Sequence, residues 1–242
     1  MPSATATITE PMLDTLIGRL HDVRVQVPGR LVFTTSFGRE DQAILHAIVA
    51  ASLDVALVTL DTGRLFPETY DLWAETEARY GVRIRAVYPD AEALATYVGS
   101  HGINGFRDAK ELRLACCHIR KVAPLATALD GAEGWITGLR SGRTEGEIVP
   151  LIARDEARGM WKAAPLADWS VEEVIEFCAR HDVPVNALHA AGFPSIGCAP
   201  CTRAVLPGEP ERAGRWWWES DDQRECGLHL GPDGRLVRSR PS

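Results

Sequence analysis

Short runs of apolar and β-branched residues alternate along the chain with longer stretches whose apolar positions recur at helical spacing. RLVFTTS (30–36) predicts a strand, DQAILHAIVAAS (41–52) a helix and VALVTLD (55–61) a second strand. PETYDLWAETEARYG (67–81), with proline at its start and glycine at its end, predicts another helix, followed by a strand in VRIRAVY (82–88). GWITGLR (134–140) is a further strand candidate. SVEEVIEFCARHD (170–182) predicts a helix with Ser170 as N-cap and Glu173 completing a capping box. Repeated strand–helix units imply an α/β fold, a mostly parallel sheet with helices on both faces that binds ligands at the C-terminal ends of its strands. From about Phe193 the periodicity gives way to Gly, Pro, Trp and Arg, which predicts an irregular C-terminal extension. The expected organisation is a disordered N-terminus (1–12), an α/β domain (13–202) and an extension (203–242).

Composition narrows the function. A chain of 242 residues, 45% hydrophobic, can bury one full core. Its first dozen residues lack a basic segment followed by an apolar run, and no apolar stretch reaches the roughly 18 residues of a membrane helix, so a cytoplasmic protein without a membrane partner is expected. The net charge of −7 argues against nucleic-acid binding, which needs a basic face. An anionic small molecule would need local cations, and Arg120 with Lys121, and Arg212 with Arg215, are the candidates.

Two polar turns follow adjacent strands. TSFGREDQ (35–42) joins a strand to a helix, and its backbone N–H groups, with Ser36, Phe37 and Gly38, could hold a phosphate- or sulfate-like group. It carries neither a Walker loop nor a dinucleotide fingerprint. The alternative is an ordinary turn with Gly38 present for its φ angle. LDTGRLFPET (60–69) brings Asp61, Thr62 and Gly63 beside that turn, where Asp61 either contacts the ligand or braces the loop.

The six cysteines divide by context. Cys178 lies in the apolar stripe of a predicted helix and reads as core. GCAPC (197–201) presents Cys198 and Cys201 at a spacing that lets two thiolates converge on one metal centre, and CCHIRK (116–121) adds Cys116 and Cys117. Adjacent cysteines diverge, so they suit a cluster with several iron corners better than a single ion, which favours [4Fe–4S] over structural zinc. A helical RKVAPL would place Arg120 one turn from Cys116 and Lys121 one turn from Cys117. Lys121 would then shield an anionic substrate from the negative cluster. Cys226 belongs to no pair. Arg224 and His229 beside it would favour the thiolate and Glu225 would oppose it, a setting suited to a nucleophile that later presents its adduct to another protein.

CCHIRKVAPL, SIGCAPCTRAVLPGE, ERAGRWWWE and RECGLH, in that order, resemble the iron–sulfur class of assimilatory adenylyl-sulfate reductases; TSFGREDQAIL, LDTGRLFPETY and PLADWS extend the match over nearly all of the chain after residue 30. The resemblance implies an adenine-nucleotide α-hydrolase-like (PP-loop) fold, a [4Fe–4S] cluster on Cys116, Cys117, Cys198 and Cys201, and adenosine 5′-phosphosulfate as substrate. It implies that Cys226 attacks the sulfate sulfur, expels AMP and becomes S-sulfocysteine, from which thioredoxin or a glutaredoxin-like reductant releases sulfite. Lys121, Arg212 and Arg215 match positions that contact the phosphosulfate, and His229 one near the nucleophile. Gly138, Arg140 and Arg143 are further candidate contacts, although TGLRSGRTEGE departs from the longer arginine-rich stretch of the family. The alternative for Arg212 and Arg215 is stacking on Trp216, Trp217 and Trp218. A homo-oligomer is expected. Competing functions are reduction of the 3′-phosphorylated nucleotide and a PP-loop ATP pyrophosphatase of the tRNA-thiolating kind, which would need a Ser-Gly-Gly-x-Asp-Ser loop where this chain has SFGRED.

Overall fold

The computed structural model describes residues 11–141 and 148–219. Six strands form one sheet in the order β3-β2-β1-β4-β6-β5, where β1 is Leu31–Thr35, β2 Ala56–Leu60, β3 Arg85–Val87, β4 Gly134–Ile136, β5 Ile152–Asp155 and β6 Met160–Ala163. All pairings are parallel except the edge hairpin β5–β6. Helices α1 (Pro11–Gln26), α2 (Arg39–Ala50), α3 (Pro67–Tyr80) and α7 (Val171–Arg180) pack with Leu31, Phe33 and Ile136. On the opposite face Val32, Val58 and Trp135 meet Leu125, Ala128 and Leu129 of α6 (Ala123–Leu129). Successive strand residues thus feed two cores, as the two-residue period of a strand requires, and helices cover both faces as expected.

The predicted strands and helices up to residue 88, β4 and α7 appear with boundaries shifted by a few residues at most. Ser170 caps α7 through the full capping box with Glu173. The structure adds α1, which begins at Pro11, inside the stretch expected to be disordered, and buries Leu16, Leu20 and Val23. It also adds the β5–β6 hairpin, α4 (Ala91–His101) and α5 (Lys110–Cys117). The helical RKVAPL expectation holds with one change: α5 passes into α6 through a π-helical turn over His118–Val122. Such single π turns sit disproportionately at functional sites.

Strand order runs outward in both directions from β1 and β4, so the crevice outside their C-terminal ends is the topological switch point, where open α/β sheets bind ligands.

Candidate active site

A cavity of about 220 Å³ opens at that switch point. Thr34 to Gly38 come from the end of β1 and the turn after it, Thr59, Leu60 and Thr62 from the end of β2 and its turn, and Thr137 to Leu139 follow β4. Of the residues singled out in the sequence, Ser36, Phe37, Gly38, Thr62, Lys121, Gly138, Arg212 and Arg215 line it. The last two arrive on the C-terminal extension, which an isolated bridge between Thr202 and Arg215 ties down.

The first turn works differently from its sequence reading. Ser36 donates both its backbone N–H (2.6 Å) and its hydroxyl (2.7 Å) to Asp41 Oδ2, and the Phe37 N–H donates to Thr35 Oγ1 at 3.0 Å. The Ser36 and Phe37 amides are therefore bonded within the turn. The left-handed residue is Phe37 (φ 61°), not Gly38, whose φ of −69° suits an ordinary N-cap. Packing holds Phe37 there: its ring stacks on Trp73 at 5.7 Å and is buried. A bulky residue at positive φ at the mouth of a cavity is the kind of local strain that clusters at functional sites. Gly138 faces the same carboxylate. A Cβ there would lie 2.2 Å from Asp41 Oδ1, so close approach of backbone to Asp41 requires glycine.

Three other candidates stand apart from the cavity lining. Asp61 Oδ1 accepts the Gly63 N–H (2.8 Å) and the Tyr70 hydroxyl (2.8 Å), so Asp61 and Gly63 form a braced turn, the alternative weighed for Asp61. Burial, then the bond to Asp61, pushes the Tyr70 phenol up to about 12. Arg140 is buried and committed to protein partners: its Nε donates to Glu40 Oε1 at 2.8 Å, Nη1 to the Trp169 carbonyl at 3.4 Å, and Nη2 faces Glu211 at 3.6 Å. It joins the start of α2 to the extension that carries Arg212. Arg143, Cys226 and His229 lie outside the described residues.

Beside this cavity lies a smaller one, lined by Cys116, Cys117, Cys198 and Cys201 with Arg64, Arg113, Arg120, Lys121, Arg215 and Trp216. All four cysteines are buried, and the ends of α5 and the Cys198–Cys201 loop bring them together. Lys121, Arg215 and Trp216 line both cavities. Among the described residues no three His, Cys, Asp or Glu side chains converge to hold a single metal ion. The thiols differ electrostatically. Burial pushes Cys116 up, and burial with neighbouring Cys198 pushes Cys201 up to about 12. Burial also opposes ionisation of Cys198, yet Lys121, the Thr62 hydroxyl 3.3 Å away, Arg215 and Arg120 together draw it below the usual thiol range.

The arginine–tryptophan alternative is realised as well. Trp216 is buried with the guanidinium carbons of Arg113 and Arg215 at 4.7 and 4.8 Å from its ring centroid. Arg113 in turn donates through Nε and Nη2 to both carboxylate oxygens of Glu219, each at 2.8 Å. Arg215 therefore stacks on an indole and also faces the cavity. Cavity residues that the sequence did not flag include Glu40, Asp41, His189, Ser195 and threonines 34, 35, 59, 69 and 137. Apart from Thr69, which lies in α3, the threonines had a signal, polar residues at the C-terminal ends of strands. His189 had none, since its Nδ1 bonds locally to the Phe193 carbonyl at 2.8 Å.

Residues 30–204 match the phosphoadenosine phosphosulfate reductase domain. The chain is 52% identical over 216 residues to the adenosine 5′-phosphosulfate reductase of Agrobacterium fabrum, covering 89% of this chain and 83% of that protein. Against the protein of the same name from Burkholderia cepacia, identity is 45% over 235 residues, 95% of this chain and 94% of that one. In structure it resembles the phosphoadenylyl-sulfate reductase of Candida auris (TM-score 0.67, 26% identity, 82% of this chain, 98% of that). The FMN adenylyltransferase of Candida glabrata shares the fold alone (TM-score 0.55, 17% identity, 77% of this chain, 60% of that). The parallel sheet, its switch-point cavity and these likenesses agree with the adenine-nucleotide α-hydrolase-like fold. The chain belongs to the phosphoadenosine phosphosulfate reductase domain family, on the branch of the adenosine 5′-phosphosulfate reductases.

Proposed function

We propose that this protein reduces adenosine 5′-phosphosulfate to sulfite and AMP in assimilatory sulfate reduction, with Cys226 as the nucleophile. The Cys226 thiolate attacks the sulfate sulfur, the bond from sulfur to the bridging oxygen breaks, and AMP leaves with the electron pair. The product is an S-sulfocysteine. A thiolate of thioredoxin, or of a glutaredoxin-like dithiol, then attacks Cys226 Sγ and expels sulfite; its second thiol resolves the mixed disulfide, so the dithiol is oxidised as sulfur is reduced. Sulfate is a poor electrophile while its oxygens carry unneutralised charge, which makes cations at the cavity the main requirement. The observation that carries this reading is that Lys121, Arg212 and Arg215 meet in one switch-point cavity. His229 belongs beside the nucleophile in this scheme.

The four buried cysteines would hold a [4Fe–4S] cluster. The donor set fits it: four thiols from two segments line one cavity with five cationic side chains, and Arg120 Nε, Arg215 Nε and Trp216 Nε1 are buried there with no hydrogen-bond partner among the described residues. An acceptor-rich anionic group answers all three. When bound it would cross-link α5 to the Cys198–Cys201 loop and add negative charge. Lys121 and Arg215, common to both cavities, would separate that charge from the substrate's. We assign the protein to the cytoplasm, as a homo-oligomer; among the described residues no helix is long and apolar enough to cross a membrane.

The 3′-phosphorylated nucleotide is the second reading, favoured by the family description and the Candida auris likeness. Turnover of both nucleotides with reduced thioredoxin separates the two. The unphosphorylated substrate should be used far better, and a preference for the other contradicts the assignment. Cys226→Ser should keep its brown colour and fold yet form no sulfite.

A further inference from the structure

The loop entering the Cys198–Cys201 pair begins with Gly197, whose φ is outside the left-handed region, so its backbone does not call for glycine. Space does. A Cβ at Gly197 would fall 2.2 Å from Arg215 Nη2, 2.5 Å from Cζ and 2.8 Å from Nη1. A long side chain usually swings away from such a contact, but this guanidinium is boxed in. Arg215 is 6% exposed, its Nη1 donates to the Ile196 carbonyl at 3.2 Å, and its guanidinium lies over the Trp216 ring, over which Arg113 lies as well. The indole is itself 1% exposed and cannot yield. Any residue larger than glycine must therefore drive Arg215 out of the place where it lines both cavities.

We infer that Gly197 is a positioning residue: the missing side chain forms the slot that holds the Arg215 guanidinium between the thiol cavity and the nucleotide cavity, and so sets substrate affinity. The inference rests on Arg215 meeting the anionic end of the nucleotide, as proposed above. Gly197 touches no substrate in this scheme and acts only through Arg215.

The test titrates adenosine 5′-phosphosulfate into the cluster-loaded full chain in the Cys226→Ser background, where binding is read without turnover. Gly197→Ala, Arg215→Ala and the double variant are compared. Loss of a charge-assisted contact should weaken binding about tenfold or more in each single variant. The double variant should bind no worse than Arg215→Ala alone, because residues acting through one contact are not additive. Full additivity, or parental affinity in Gly197→Ala beside weakened Arg215→Ala, overturns the inference while leaving the role of Arg215 intact. Parental affinity in Arg215→Ala overturns both. If Gly197→Ala loses its visible iron–sulfur absorbance or fails to fold, Arg215→Ala should restore both by emptying the slot; failure of that rescue also refutes the slot.

Discussion

At the scale of single residues, the site depends on close approaches that leave no room for error. Gly138 gives way to the carboxylate that ties down the β1–α2 turn, so Gly138→Ala should force Asp41 from Ser36. We expect a loss of about 1–3 kcal/mol in denaturant unfolding together with weaker AMP binding, read by calorimetric titration. Stability and affinity equal to those of the parent would mean that Asp41 does not order the turn. Cys178 is the contrasting case: burial pushes its thiol up to about 12, and it should resist alkylation in the native state at pH 8 while labelling freely in denaturant. Its core role was legible from its place beside Val174 and Phe177, although Ile175, read into the same stripe, is exposed. The Arg140 pairing was not legible, because its carboxylates lie 100 residues upstream and 71 downstream (140 − 40 and 211 − 140).

At the scale of elements, helix ends are fixed by side chains that also place their neighbours. Glu77 near the end of α3 accepts the Ile84 N–H at 2.7 Å, the Trp73 indole N–H at 3.2 Å and the Arg83 guanidinium at 2.7 Å, leading the chain into β3. The bond from Ile84 is the main cause that draws its carboxyl below the usual range, with Arg83 and Trp73 adding to it against the cost of burial. A depressed carboxylate pKa stabilises the fold above its unfolded value of about 4.3 and loses that contribution as pH falls through the folded value. Glu77→Gln should therefore melt lower than the parent at pH 7, with the gap closing as pH drops below about 4.3. A gap independent of pH would exclude this linkage. The pair of Arg113 on α5 and Glu219 is more deeply enclosed, with side chains 1% and 9% exposed. Glu219→Ala removes both charge-assisted bonds from a buried guanidinium, and we expect a cost of about 3–5 kcal/mol in denaturant unfolding. A loss below 1 kcal/mol would show the pair to be dispensable. The central elements were readable because each strand and helix carries its own period. Helix α1 carried a signal too, Leu16, Leu20, Val23 and Val27 at spacings of four, three and four, but it stands alone before the first strand. The β5–β6 hairpin was hidden because an antiparallel edge pair breaks the strand–helix rhythm.

At the scale of the whole molecule, one division of labour organises the chain. The sheet places a cavity at its switch point, the end of α5 and the Cys198–Cys201 loop place four thiols beside it, and the extension returns Arg212 and Arg215 to its wall. The ordered cysteine motifs made the thiol set legible in the sequence, since spacing within each pair is local. Lys121, Arg212 and Arg215 were legible as cavity cations through the resemblance, but the withdrawal of Arg140 into pairs with Glu40 and Glu211 was not, because those contacts join distant segments. With four thiols proposed for the cluster and Cys178 buried in the core, the central claim is that Cys226 receives the sulfur. Mass spectrometry of peptides from the cluster-loaded protein, after exposure to adenosine 5′-phosphosulfate without reductant, tests it most directly. A sulfite-sized adduct should sit on the peptide carrying Cys226 and nowhere else; an adduct on Cys116, Cys117, Cys198 or Cys201, or AMP release with Cys226 unmodified, would contradict it.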